Sequence, residues 1–210
     1  LFICLAAIMD VFDGFAARAL KVNSLIGKDL DSLADVVSFG VAPSMILYKL
    51  LWSAYMAEPG ALQTPMVVVM PAFFVACFGA LRLAKFNQTS ATQQNYFLGM
   101  PIPAVGLFVA SLPLLAWYAP PSVSDLLLNR WALYAVTALV CYLMVSKIKF
   151  LKWKASGKGI GAWWPQIGMV LALAIGAPFL KFAVIPAVFV LYILFSVVYK
   201  HPAVVVEERK

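Results

Sequence analysis

Histidine, cysteine and acidic side chains are all scarce in this sequence. Its 210 residues include one histidine, three cysteines and nine acidic residues. His201 lies beside Pro202 near the end of the chain, so we expect a solvated tail residue rather than a catalytic one. Cys4, Cys77 and Cys141 are scattered through apolar segments without paired spacing, which argues against a disulfide framework and against a thiolate metal site.

Charge of either sign is rare, and apolar residues dominate. They make up 64% of the chain, charged residues make up 12%, and the mean hydropathy is +0.93. Soluble domains are about 45–50% apolar and about 25% charged, so this composition indicates a chain built for lipid. Membrane-spanning backbone must satisfy its own hydrogen bonds, and the long apolar runs show no strand-like alternation. The sequence therefore predicts an all-α, polytopic transmembrane helical bundle.

The apolar runs predict seven helices in one integral-membrane domain covering 1–210, with a polar tail at 201–210. Proline and glycine place turns at 58–65, 119–125 and 176–178. The chain begins at Leu1 in the middle of an apolar run, so we expect an amino-terminal part to be missing. The predicted helices cover about 1–20, 28–52, 66–86, 101–118, 131–146, 163–178 and 182–199.

The positions of the basic residues predict how the chain is oriented in the membrane. If the connection at 18–30 faces the cytoplasm, most of the 16 lysines and arginines lie on that same side. This bias is what the positive-inside rule requires, so the acidic residues between 10 and 35 are expected at the cytoplasmic face. The residues on that side are Arg18, Lys21, Lys28, Arg82, Lys85, Lys147, Lys149, Lys152, Lys154, Lys158, Lys200, Arg209 and Lys210.

Acidic residues are concentrated near the start of the chain. Asp10 and Asp13 are three apart and share one helical face, and Asp31 and Asp35 are four apart and share another. Asp29 lies about 200° around the helix from Asp31, in the first turn, so we exclude it from the site. Two neighbouring helices are therefore predicted to present four carboxylates towards each other.

These four carboxylates predict a metal site. One aspartate in a membrane helix costs about 2.5–3.5 kcal/mol, so four unpaired ones would cost about 10–14 kcal/mol if fully immersed. An all-oxygen ligand set suits Mg²⁺ or Mn²⁺, and four carboxylates carry enough charge for two such ions. Gly14, Ala17 and Gly27 lie on the same faces, where small residues permit close approach of a backbone or a flat ligand.

The pattern D-x2-D-G-x2-A-R-x8-G-x3-D-x3-D resembles the signature of the CDP-alcohol phosphotransferase family. The resemblance implies an integral-membrane enzyme, usually a homodimer, that moves a substituted phosphoryl group from a CDP-linked donor to an alcohol and releases CMP. Phosphoryl transfer between bound divalent ions agrees with the carboxylate cluster. The matching positions are Asp10, Asp13, Gly14, Ala17, Arg18, Gly27, Asp31 and Asp35.

The family resemblance also implies roles for these residues. Asp10, Asp13 and Asp31 would bind the metal ions, and Asp35 would complete the site and act as the general base for the acceptor hydroxyl. Asp31 and Asp35 are thus the catalytic candidates. The CDP moiety would be bound by Gly14, Ala17, Arg18 and Gly27.

Three later segments, "DSLADVVSFGVAPS", "ALRLAKFN" and "YFLGMPIPA", resemble the phosphatidylserine-forming branch of the family. That resemblance implies CDP-diacylglycerol and L-serine as substrates in a bacterial cytoplasmic membrane, with membrane lipids and no nucleic acid as partners. Gly40 and Pro43 are expected to loosen or kink their helix. The candidate substrate-binding residues are Ser38, which continues the Asp31–Asp35 stripe, and Arg82, Lys85 and Asn87.

Other functions remain open at this stage. A sibling enzyme could take glycerol-3-phosphate or inositol phosphate as acceptor, and an archaetidylserine synthase would differ only in its lipid tails. A divalent-cation transporter is the alternative from another class, because intramembrane carboxylates often mark ion paths. It would need polar residues continuing through the bilayer. The acids after Asp35, however, fall in predicted loops or the tail: Glu58, Asp125, Glu207 and Glu208.

Overall fold

The computed structural model describes residues 2–20, 25–58, 65–89, 96–151, 171, 176 and 183–198, and it confirms the helical class. Its helices are joined by short connections, and one small antiparallel ribbon accompanies them. In chain order the elements are α1 (Phe2–Ala19), α2 (Leu25–Asp35), a π-helical segment (Val36–Val41), α3 (Ala42–Met56), a 3-10 segment (Met66–Phe73), α4 (Phe74–Thr89), β1 (Tyr96–Leu98), α5 (Ile102–Tyr118), α6 (Pro121–Leu127), α7 (Arg130–Val145), β2 (Lys149–Leu151) and α8 (Val184–Val198).

Two continuous helices are long and apolar enough to cross a bilayer. They are Asp29–Met56, which joins α2, the π-helical segment and α3, and Met66–Gln88. The pair α6 and α7, bent by 64°, makes up a third span if it is counted as one, and α5 and most of α8 are shorter apolar helices. The described helices therefore agree with an integral-membrane bundle.

The π-helical segment lies at the centre of the bundle. It packs against α2, α3, α4 and α5, and Phe39 within it is buried. Gly106 on α5 allows this contact, because an added Cβ there would lie 3.0–3.2 Å from atoms of Phe39. The predicted loosening after the aspartates thus takes the form of a π-helical segment, a feature that is frequent at functional sites.

Ser44 joins the π-helical segment to α4. Its hydroxyl donates a hydrogen bond to the carbonyl oxygen of Gly40 at 2.8 Å and accepts one from the backbone N–H of Ala76 at 3.1 Å. Ser44 is completely buried. Both hydrogen bonds therefore form away from water, where an unmade partner is costly.

The ribbon of β1 and β2 brings the start of α5 against the end of α7. Phe97 pairs with Phe150 in an antiparallel register. Gly99 follows β1 with a φ of 76°, and an added Cβ would lie within 2.2 Å of the Met144 carbonyl oxygen. Only glycine suits this turn, because both its backbone angle and its contact exclude a side chain.

Three local predictions differ from the structure. The segment predicted as one helix over 66–86 begins as a 3-10 helix that contains Pro71, whose ring would clash with the carbonyl group of Val67 in a regular α-helix. The predicted turn at 119–125 contains α6, which starts at Pro121, a residue already set to helical φ. The β1–β2 ribbon was not predicted, since three residues are too few to show alternation. The helix at 163–178 and the tail at 201–210 lie essentially outside the described residues.

Candidate active site

The four predicted carboxylates lie on α1 and α2, at one end of the bundle. Asp10 and Asp35 are half-buried, whereas Asp13 and Asp31 are exposed. Asp10 is close enough to interact electrostatically with Asp13 and Asp31, and Asp35 with Asp10 and Asp31. The two helices therefore bring like charges together, which is unfavourable without a compensating cation.

The donor set suits a hard divalent cation. All four groups are carboxylates, and Arg82 is the one positive side chain that interacts with Asp35 among the described residues. No three histidine, cysteine or acidic side chains in the described part of the chain are close enough together to ligate one ion. The chemistry of the cluster thus fits a metal ion, while the coordination by particular carboxylates stays a prediction.

The residues predicted to bind the CDP moiety lie beside the aspartates. Gly14 on α1 and Gly27 on α2 are exposed, and an added Cβ at Gly14 would meet no atom within 4 Å. Space for a ligand is therefore open at Gly14. Ala17 and Arg18 belong to α1, but their side chains are outside the part of the structure that is described. Asp29, which we excluded from the site, is exposed on α2.

Ser38 is half-buried in the π-helical segment, directly after Asp35. A π turn contains more residues than an α turn, so the α-helical spacing that placed Ser38 on the Asp31–Asp35 stripe does not hold past Asp35. The placement of Ser38 on that stripe therefore stays a prediction. The role of Ser38 in substrate binding is also a prediction, and the α-helical spacing from Asp31 and Asp35 no longer supports it.

Arg82 on α4 is the buried cation of the site. Its residue surface is only 6% exposed, and its guanidinium lies 5.5 Å from the ring centre of Phe86. The guanidinium interacts electrostatically with Asp35, while its Nε has no hydrogen-bond partner in the described structure. A buried donor without a partner is costly, so Arg82 is suited to receive an anionic ligand.

Asn87 and Lys85 lie further along α4. The Asn87 side-chain amide donates a hydrogen bond of 2.9 Å to the hydroxyl of Ser32, the neighbour of Asp31. Asn87 thereby connects the end of α4 to the aspartate helix, a structural contact that the sequence did not indicate. Lys85 is exposed.

Tyr192 on α8 interacts with Arg82 and has Ser196 as a hydrogen-bond partner, and the sequence indicated neither residue. The interaction with Arg82 is electrostatic, and the Tyr192 hydroxyl is hydrogen-bonded to the side chain of Ser196. Ser196 is 3% exposed. The one available signal was two polar residues four apart in an otherwise apolar helix, which places them on one face.

The opposite end of the bundle has its own polar cluster. Glu58 after α3 forms a salt bridge with Arg130 at the start of α7, and the hydroxyls of Tyr55 and Tyr134 are 3.0 Å apart. About 21 residues of helix separate Asp35 from Met56, a rise of roughly 30 Å, which matches the hydrocarbon thickness of a bilayer. The aspartates and the Glu58–Arg130 pair therefore lie near opposite ends of a helix long enough to cross a bilayer.

Comparison with known proteins identifies a matching family model and several similar proteins. A CDP-alcohol phosphatidyltransferase family model matches residues 1–144. A CDP-diacylglycerol–serine O-phosphatidyltransferase of Bacillus subtilis is 39% identical over 155 residues, which cover 73% of this chain and 75% of the relative.

Proteins with the same name occur in distant organisms. The one from Methanocaldococcus jannaschii is 34% identical over 152 residues, covering 72% of this chain and 62% of the relative. The one from Saccharomyces cerevisiae is 41% identical over 110 residues, covering 49% of this chain and 36% of the relative. The alignments thus span three quarters of the Bacillus relative but about a third of the yeast relative. The matched region contains all four aspartates, and the chain belongs to the CDP-alcohol phosphatidyltransferase family.

Proposed function

We propose that this protein transfers the phosphatidyl group of CDP-diacylglycerol to the hydroxyl of L-serine. Phosphatidylserine and CMP are the products. The observation that carries the proposal is the position of Arg82, a buried cation with an unpartnered Nε, beside Asp35 of the family signature. The relatives named as serine transferases support the choice of acceptor.

In the proposed reaction the serine hydroxyl oxygen attacks the phosphorus that carries the diacylglycerol. The bond from that phosphorus to the bridging oxygen of the pyrophosphate breaks, and CMP leaves with this oxygen. Asp35 accepts the hydroxyl proton. Its half-buried position at the end of α2 lets it face a substrate held between α1 and α4, with the acyl chains remaining in the bilayer.

Asp10, Asp13, Asp31 and Asp35 are proposed to hold one or two divalent ions, Mg²⁺ or Mn²⁺, which neutralise the charge of the pyrophosphate when bound. Gly14, Ala17, Arg18 and Gly27 line the nucleotide. Open space at Gly14 supports this assignment, because a cytidine nucleotide needs room beside the aspartates.

Arg82 is proposed to bind the serine carboxylate. A guanidinium can donate two parallel hydrogen bonds to a carboxylate, and such a pair is favourable in a site that excludes water. Lys85 and Ser38 are secondary candidates for acceptor binding. The site is proposed to face the cytoplasm of a bacterial membrane, where serine and the CDP head group are accessible, and the working unit is proposed to be a homodimer.

A divalent-cation transporter remains the alternative from another class. The described helices offer little support for it. Glu58 is paired with Arg130 at the opposite membrane face, and Asp125 is exposed on α6. Neither continues a path from the aspartates through the bilayer.

The experiment that tests the proposal is an acceptor panel. Purified protein is incubated with CDP-diacylglycerol, Mn²⁺ or Mg²⁺, and separately with L-serine, glycerol-3-phosphate or inositol phosphate, and CMP release is measured. We expect release with L-serine that is abolished by chelation and restored by adding the metal back. Release with glycerol-3-phosphate alone would contradict the serine assignment and keep the family chemistry. Metal uptake into proteoliposomes without CMP release would favour the transporter.

A further inference from the structure

A second, half-buried group besides Asp35 interacts with Arg82. Tyr192 of α8 stacks against Phe150 of β2, with ring centres 5.6 Å apart and planes 27° apart. Phe150 is completely buried and belongs to the same hydrophobic core. The ring of Tyr192 is therefore held on one side by the β1–β2 ribbon.

The hydroxyl of Tyr192 is fixed as well. It is hydrogen-bonded to Ser196, one helical turn further along α8, and Ser196 is almost completely buried. The same hydroxyl lies close enough to the Arg82 guanidinium for electrostatic interaction. The partial negative charge of a phenol oxygen attracts a guanidinium without neutralising it, so Arg82 keeps its charge for another anion.

Arg82 thus interacts with two groups that have different properties. Asp35 belongs to the reaction centre, whereas Tyr192 belongs to a helix beyond residue 144, where the family match ends. The Phe86 ring lies 5.5 Å from the guanidinium centre. Restricting a long arginine side chain to one rotamer costs about 2 kcal/mol of conformational entropy. Contacts with neighbouring groups are therefore needed to keep the Arg82 guanidinium in one orientation.

We propose that Tyr192 is a positioning residue that directs the Arg82 guanidinium towards the carboxylate of the amino-acid acceptor. This inference rests on the proposed function. Acceptor selectivity is then determined in part by α8, outside the aspartate signature and outside the region that the family model matches. Tyr192 itself contacts neither the metal ions nor the reacting phosphorus in this account.

The test compares two acceptors that differ only at the carboxylate. L-serine and L-serinamide carry the same hydroxyl and amine, but serinamide has no anion for Arg82. The variant Tyr192→Phe keeps the ring stacked on Phe150 and removes the hydroxyl. We expect the KM for L-serine to rise roughly threefold to tenfold, as the loss of one charge-assisted contact implies, with kcat and the KM for CDP-diacylglycerol within about twofold of wild type. The preference for L-serine over L-serinamide, measured as a ratio of kcat/KM values, should fall by a similar factor.

Two further variants make the result specific. Tyr134→Phe is the matched control, because Tyr134 also has a hydrogen-bonded hydroxyl but lies at the opposite end of the bundle. Its acceptor preference should not change. Ser196→Ala removes the partner of the Tyr192 hydroxyl and should move the acceptor ratio in the same direction by a smaller factor. It also serves as the second variant if Tyr192→Phe does not fold.

Three results would contradict the proposed role of Tyr192. An unchanged ratio in both Tyr192→Phe and Ser196→Ala, with normal serine-dependent CMP release by the wild type, overturns the role of Tyr192 and leaves the proposed function standing. A rise in the KM for CDP-diacylglycerol instead of serine also overturns it, because Arg82 would then bind the lipid phosphate. Absence of serine-dependent CMP release in the wild type overturns the proposed function and this inference with it.

Discussion

Asp35 and Asp29 provide a residue-scale comparison on one helix. Both are aspartates of α2, but Asp35 is half-buried next to Asp10, Asp31 and Arg82, whereas Asp29 is exposed. We expect Asp35→Asn to lower kcat about 10²–10⁴-fold, the usual contribution of a general base, while Asp29→Asn stays within about twofold of wild type. CMP release with L-serine measures both. Equal losses in the two variants would contradict the assignment of Asp35.

Ser32 and Asn87 test whether α4 orients the aspartates. Their hydrogen bond joins residues that are 55 positions apart. The single variants Ser32→Ala and Asn87→Ala should each reduce kcat/KM. The kcat/KM of the double variant should be close to that of the less active single variant, because both substitutions remove the same hydrogen bond. The expected coupling energy from the double-mutant cycle is about 0.5–1.5 kcal/mol.

An additive result would instead favour the original substrate-binding prediction for Asn87. In that case Asn87→Ala would raise the KM for serine, and Ser32→Ala would leave it unchanged. The comparison therefore separates a positioning role from direct binding, which the residue types alone do not distinguish.

At the scale of elements, the π-helical segment and α4 depend on Ser44. Ser44→Ala removes a buried hydroxyl that bonds both Gly40 and Ala76, leaving the Ala76 N–H and the Gly40 carbonyl each without this partner. We expect a loss of about 1–3 kcal/mol in the free energy of unfolding, measured by denaturant titration in detergent micelles. The control is Ser124→Ala, whose exposed hydroxyl bonds the Pro121 carbonyl in α6. A loss of the same size in the control would contradict the account.

The same elements show how far local sequence reasoning reaches. The positions of Gly40 and Pro43 predicted a disturbed helix after Asp35, and a π turn is present there. The type of disturbance was not predicted, because it depends on the packing of the π-helical segment against α4 and α5, which local spacing does not contain. For the same reason, α-helical spacing does not extend from Asp35 to Ser38.

At the scale of the whole molecule, the two polar clusters predict a sided topology. Lys85 lies near the aspartate end of α4, and Asp125 is exposed on α6 beside the Glu58–Arg130 end. In a background with Cys4, Cys77 and Cys141 replaced by alanine, we expect a membrane-impermeant maleimide to label Asp125→Cys in intact bacterial cells. Lys85→Cys should be labelled only after the cells are broken. The reverse pattern would place the catalytic site outside and contradict the positive-inside prediction.

The sequence by itself determined the membrane-helical class and the two pairs of aspartates. Both follow from short-range regularities: apolar runs long enough for a bilayer, and carboxylates three or four residues apart on one helix. The family signature lies within one such stretch, so it was readable without the fold.

Only the tertiary structure decided what surrounds those aspartates. It brings Arg82 of α4 close enough to interact electrostatically with Asp35 and with Tyr192 of α8, and it connects Asn87 to Ser32. These residues are far apart in the sequence, and most of them lie in helices composed mainly of apolar residues. Their relation depends on how the helices pack around Phe39, because contacts between helices depend on rotation and depth that no single helix specifies.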